Sequence, residues 1–142
     1  MQIKNILVVC VGNICRSPMA EYLLKHRYPE LNVESAGISG LTGYTADDKA
    51  IQCMDTLNID MRTHVARKLN AEMIKKADLV LVMSNNQQKH IEATWPFAKG
   101  KTFRLGHWQG QNVADPYQHD QAFFDQTCIN IQSYVADWAS HI

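Results

Sequence analysis

Cys10-Val-Gly-Asn-Ile-Cys-Arg-Ser-Pro18, entered from the apolar run Ile6-Leu-Val-Val9, decides how the chain folds. The run is rich in Ile, Leu and Val with little alternation, the pattern of a parallel strand buried on both faces. Beyond the nine residues a helical pattern begins near Met19, and Pro18 suits a first turn where a missing N–H costs nothing. A short loop passing from strand into helix points several backbone N–H groups at one spot, and the helix dipole favours an anion there. Arg16 can add a planar fork that grips two oxygens of a phosphate. The same positive charges would hold Cys10 as a thiolate, so the cradle holds its own nucleophile.

The rest of the chain repeats the alternation of strand and helix. Ile3 to Val9 is the first strand, followed by a helix whose apolar face is Ala20, Leu23 and Leu24 and which ends before Pro29. Asn32 to Ala36 is a second strand closed by Gly37, and Gly37 to Tyr44, with three glycines, is a loop. The spacing of Ala50, Cys53, Met54 and Leu57 predicts a helix from about Ala46 to Leu57. Asn70 is an N-cap for a short helix through Lys76, and Ser84 caps another after the strand Asp78–Met83. Lys101 to Leu105 is a fourth strand, and Gly106 to about His119 is a long loop holding Asp115-Pro116-Tyr117. The last helix, about Gln118 to Ser140, sets Phe124, Cys128, Ile131, Val135 and Trp138 on one side. Strands alternating with helices imply an α/β domain whose parallel sheet carries helices on both faces. Ligands in such sheets bind beyond the carboxyl ends of the strands, which is where Cys10 falls.

At 142 residues the chain reads as one domain over residues 1–142, with a core that needs no staples. Its 14 basic and 14 acidic residues balance, and no basic block points to nucleic acid or an anionic membrane. The N-terminus lacks the features of a signal peptide and no apolar run is long enough to span a bilayer, so the expected location is the cytoplasm. The four cysteines show no zinc spacing and no disulfide framework.

Expelling an alkoxide or phenoxide from phosphorus requires a proton at the leaving oxygen, which a loop carboxylic acid can supply. Residue chemistry alone leaves Asp47, Asp48, Asp115 and Asp120 open as that acid. Gly12 permits a tight turn, and Asn13 belongs to the few types that accept left-handed geometry while bracing a loop. Ser17 can cap the helix.

Cys10-x5-Arg16-Ser17, together with the distant Asp115-Pro116, resembles the signature of the low-molecular-weight protein tyrosine phosphatases, and the resemblance covers nearly the whole chain. It implies a flavodoxin-like, four-stranded parallel sheet and a cofactor-free, metal-free hydrolysis of phosphotyrosine through phosphocysteine. It implies Cys10 as nucleophile, Arg16 with Val11, Gly12, Asn13, Ile14, Cys15 and Ser17 as the phosphate cradle, and Asp115 as the acid. By the same resemblance Ser17 donates to the thiolate, Ser35 and His64 brace the cradle, and Cys15 pairs with Cys10 under oxidant. Tyr117 and Leu41 form the substrate rim, and leucine where many relatives carry an aromatic residue is shared with some exopolysaccharide-associated bacterial members. A phosphotyrosine protein, such as a bacterial tyrosine autokinase of capsule or exopolysaccharide export, is the implied partner, and a monomer the expected state.

Three other readings are weaker. Arsenate reductases on this fold relay a disulfide through a mid-chain cysteine pair, whereas this chain has no cysteine between Cys53 and Cys128. A phosphoarginine phosphatase relative carries threonine where this chain has the apolar Ile14. A non-catalytic phosphoprotein-binding module has no need of Cys10, Arg16 and Asp115 together.

Overall fold

The apolar runs assemble into the middle of a parallel sheet. In the computed structural model, which describes residues 2–142, β1 (Asn5–Cys10) pairs with β2 (Asn32–Gly37) on one side and β3 (Leu79–Val82) on the other. A fourth strand, β4 (Thr102–Arg104), extends the sheet beyond β3, so the order is β2-β1-β3-β4. The connections are α1 (Arg16–Arg27), α2 (Asp48–Asp55), α3 (Ala71–Lys76) and α4 (Asn85–Thr94), and α5 (Gln121–Trp138) closes the chain. This is the flavodoxin-like α/β arrangement expected.

Successive residues of β1 point to opposite faces, and both faces are covered. Ile6, Val8 and Cys10 pack with Leu24 of α1, Met54 of α2 and Phe124 of α5, whereas Leu7 and Val9 pack with Ile74 of α3 and Ile91 of α4. A strand buried on both sides has no need of polar alternation, which is why the run reads as continuous. On α5, Phe124, Cys128, Ile131, Val135 and Trp138 are all buried, as the spacing predicts. Among the described residues no helix is long and apolar enough to cross a membrane.

Several boundaries differ from the sequence expectation, each for a local reason. The long helix begins at Gln121, not Gln118, because Gln118 has φ 68° and Asp120 accepts the Phe123 N–H. The α2 helix starts after Asp47, whose carboxylate accepts from Lys49 N–H at 2.9 Å, and ends before Asn58, at φ 59°. Asn70 and Ser84 cap α3 and α4 as expected. The first helix starts at Arg16, three residues early, and its buried face carries Arg16, Ser17 and Glu21 beside Met19, Ala20 and Leu24. Leu23 is only half-buried. Single turns of tighter helix at Pro96–Ala98 and His107–Gln109 interrupt segments with no helical periodicity.

The start of β1 is tied to β3 by Asp78, whose carboxylate accepts the N–H groups of Lys4 and Asn5, each at 2.9 Å. These bonds favour the ionised acid and hold it below the usual carboxylate range. A depressed native value stabilises the fold above the unfolded value near pH 4, and that contribution is lost as pH falls through the native one. Asp78→Asn should therefore lower Tm by a few degrees at pH 7, with parent and variant converging in thermal melts below pH 4.

Candidate active site

Cys10 is the last residue of β1, and the loop after it climbs directly into α1. The loop is fixed by one residue above all. Asn13 is fully buried at φ 63°, a left-handed conformation that asparagine tolerates better than most. Its Nδ2 donates to Ser17 Oγ at 2.8 Å and Ser35 Oγ at 2.9 Å, and its Oδ1 accepts from Arg67 N–H at 3.0 Å. Its carbonyl accepts from His64 Nε2 at 2.8 Å, so that ring nitrogen carries the proton.

The bonds to Asn13 decide where two hydroxyl protons go. Ser17 Oγ already accepts from Asn13, which leaves its proton free for Cys10 Sγ at 3.0 Å. Asn13 N–H reaches the same sulfur at 3.3 Å. Negative charge on that sulfur is thus met by two donors. Ser35 Oγ, also accepting from Asn13, donates to Oε1 of the buried Glu21, whose other oxygen lies 2.5 Å from Lys25 Nζ. His64 Nδ1 stands 3.9 Å from Glu21 Oε1.

Arg16 is buried at the foot of α1, where Nη1 donates to the Val113 carbonyl at 2.9 Å and Nη2 lies 3.6 Å from Asp115 Oδ2. Val113 N–H bonds in turn to Met83 O at the end of β3. Of the four candidate acids, Asp115 alone among the described residues faces the cleft. Asp47 and Asp120 cap helices, and Asp48 lines a separate depression with Arg62. Asp115 Oδ1 accepts the Tyr117 N–H at 3.1 Å while the side chain stays about half exposed.

These groups enclose a cleft of about 150 Å³ with Cys10 and Arg16 at its base and Ile14, Leu41 and Tyr117 on its walls. Val11, Gly12 and Cys15 complete the loop's share of the lining. A Cβ on Gly12 would meet Leu41 at 3.4 Å, an ordinary contact, whereas on Gly37 it would lie 2.6 Å from Val11 O. The end of β2 must be glycine for the loop to lie against it. The Cys15 thiol is pushed far up, first by burial and then by the Asp47 charge, so it is held as a neutral thiol beside Cys10. All four cysteines are free.

Glu21, Arg67, Val113 and Ser39, which also lines the cleft, belong to this construction and escape the sequence reading, which takes Gly37 only as the end of a strand. Arg67 and Val113 make their bonds through a backbone N–H and a carbonyl, groups that do not mark a residue type in a sequence. An acid on a helix, as Glu21 is, reads as solvated unless its partners are known.

The family described as low molecular weight phosphotyrosine protein phosphatase matches residues 5–142. This chain belongs to that family. The phosphatase is 72% identical over 142 residues, all of both chains, to the low molecular weight protein-tyrosine-phosphatase Ptp of Acinetobacter johnsonii. The crystal structure of the Erwinia amylovora tyrosine phosphatase AmsI superposes with a TM-score of 0.96 at 35% identity, covering 99% of this chain and 94% of that one. Vibrio vulnificus Wzb in complex with benzylphosphonate gives a TM-score of 0.95 at 34% identity, covering 99% of this phosphatase and 100% of Wzb.

Proposed function

We propose that this phosphatase hydrolyses phosphotyrosine in proteins through a phosphocysteine on Cys10. The observation that carries the reading is one sulfur receiving two donors in the same cleft as a buried guanidinium and a half-exposed carboxylic acid. Cys10 Sγ attacks phosphorus as the bond to the phenolic oxygen breaks. Arg16 and the N–H groups of the loop, apart from that of Asn13 which faces the sulfur, meet the charge on the equatorial oxygens. Asp115 gives its proton to the departing oxygen, and its carboxylate then takes a proton from the water that releases phosphate. Ser17 holds the thiolate that leaves in this second step. Asn13, Ser35 and His64 keep the loop in shape. Leu41, Tyr117 and Ile14 are apolar or aromatic walls for the tyrosine ring, and Ile14 offers a guanidinium no hydrogen bond.

Asp115→Asn should cost about 10²-fold in kcat/KM on phenyl phosphate and far less on 4-nitrophenyl phosphate, whose leaving group needs little protonation. A loss independent of the leaving group would remove Asp115 from this role. Ser17→Ala should slow the release of phosphate more than its capture. A burst of phenol about equal to the enzyme, seen by stopped flow, is the expected sign. Activity should be unchanged by a chelator, since the chain supplies nucleophile, acid and charge itself.

The physiological partner we propose is a bacterial tyrosine autokinase of capsule or exopolysaccharide export, acted on by a cytoplasmic monomer. Leu41 in the rim supports this assignment. Purified enzyme offered phosphotyrosine, phosphoserine, phosphoarginine and arsenate in parallel should turn over phosphotyrosine preferentially, and preference for another would overturn the reading.

A further inference from the structure

The segment that carries Asp115 is held at two points. At one end Val113 is fixed by Met83 O and by Arg16, as described above. The other anchor is on α2, whose N-cap residue Asp47 bonds through its N–H to the Ile14 carbonyl of the loop at 2.9 Å while Lys49 itself makes no bond to the cradle. Lys49, in the first turn of α2, donates from Nζ to the carbonyl of His119 at 2.6 Å. Gln121, the first residue of α5, donates from Nε2 back to the Lys49 carbonyl at 3.1 Å. The His119 ring stacks on Phe123 at 4.2 Å and 17°, and the backbone N–H of His119 donates to Pro116 O at 2.9 Å. Between the anchors Pro116 alone is buried; Ala114, Asp115, Tyr117 and Gln118 are exposed, and Gln118 has φ 68°.

We propose that Lys49 is a positioning residue for Asp115, setting where the acid stands relative to the leaving oxygen. The proposal rests on the reading of Asp115 as the proton donor. A charged donor on a carbonyl is stronger than a neutral hydrogen bond, and Lys49 Nζ sets the height of His119 over α2. The turn Pro116–His119 passes that position back to Asp115 through Pro116 O and Tyr117 N–H. Proton transfer demands hydrogen-bond reach, so a shift of about 1 Å at the acid is costly even when the cradle is intact. Replacing the side chain leaves the α2 cap in place, because Asp47 holds the backbone N–H of Lys49.

The test is a leaving-group series in the full chain. Lys49→Met should lower kcat/KM about tenfold for phenyl phosphate and less than twofold for 4-nitrophenyl phosphate, with inhibition by inorganic phosphate unchanged. Lys49→Arg should restore the parent dependence, since the donor is retained. Lys49→Gln is measured alongside, so that a readout remains if the Met variant does not fold. In an Asp115→Asn background, Lys49→Met should have no further effect. A uniform loss across leaving groups, or a loss that persists in that background, would overturn the role of Lys49 while leaving Asp115 as the acid. If Asp115→Asn by itself lowers all substrates equally, the acid assignment fails first and the Lys49 proposal falls with it.

Discussion

Cys10→Ser should abolish turnover of 4-nitrophenyl phosphate, with a fall of about 10⁴-fold or more in kcat, while inorganic phosphate still binds. The two expectations come from different parts of one loop. Ser17 Oγ and Asn13 N–H converge on the position of the sulfur, and a serine there keeps an oxygen within reach of both. Arg16 and the loop N–H groups do not depend on the sulfur, so the anion cradle survives. What is lost is the nucleophile, because an alcohol in this site has no adjacent base to take its proton. Asp115 must enter this step protonated to serve the leaving oxygen, and two other neighbours are already engaged. His64 Nε2 is committed to the Asn13 carbonyl, and Glu21 is committed to Ser35 and Lys25. Phosphate binding followed by calorimetry, beside initial rates, separates the two effects. Turnover within about tenfold of the parent would remove Cys10 from the mechanism, whatever the phosphate affinity.

The elements of the fold were legible where burial is simple. Ile6–Val9 and Leu79–Val82 are covered on both faces and carry no polar residue, so composition alone marks them as central strands. Asn70 and Ser84 are legible because capping is a local interaction, complete within three residues. The first helix is harder to read, since its buried face holds Arg16, Ser17 and Glu21, residues whose burial makes sense only once their partners are in place. Asp115 shows the same limit. Nothing in its chemistry separates it from Asp47 or Asp120, and the resemblance to a family, not the residue, selected it. The structure adds a physical difference between them: the other two spend their carboxylates on helix caps. Arg67, Val113 and Lys49 were out of reach because each bond pairs a side chain with a backbone group between 54 and 97 residues away.

Arg16→Lys tests whether the guanidinium has two tasks at once. Nη1 is taken by the Val113 carbonyl, which fixes the near end of the acid segment, while the remaining N–H groups border the cleft where equatorial oxygens would lie. A lysine keeps the charge but presents a point, not a fork, so it can satisfy the carbonyl or the phosphate and not both together. The expected loss in kcat/KM is about 10³-fold, from missing transition-state hydrogen bonds compounded by a displaced Val113. Its signature should differ from that of Asp115→Asn. Losing oxygen contacts penalises every phosphate monoester, so phenyl and 4-nitrophenyl phosphate should fall nearly in parallel, and inorganic phosphate should bind more weakly. A lysine variant that keeps phosphate affinity but loses only the poor leaving groups would reassign Arg16 to holding the acid segment. One that loses less than about tenfold on all substrates would show that charge alone, without the fork, is what the cradle requires.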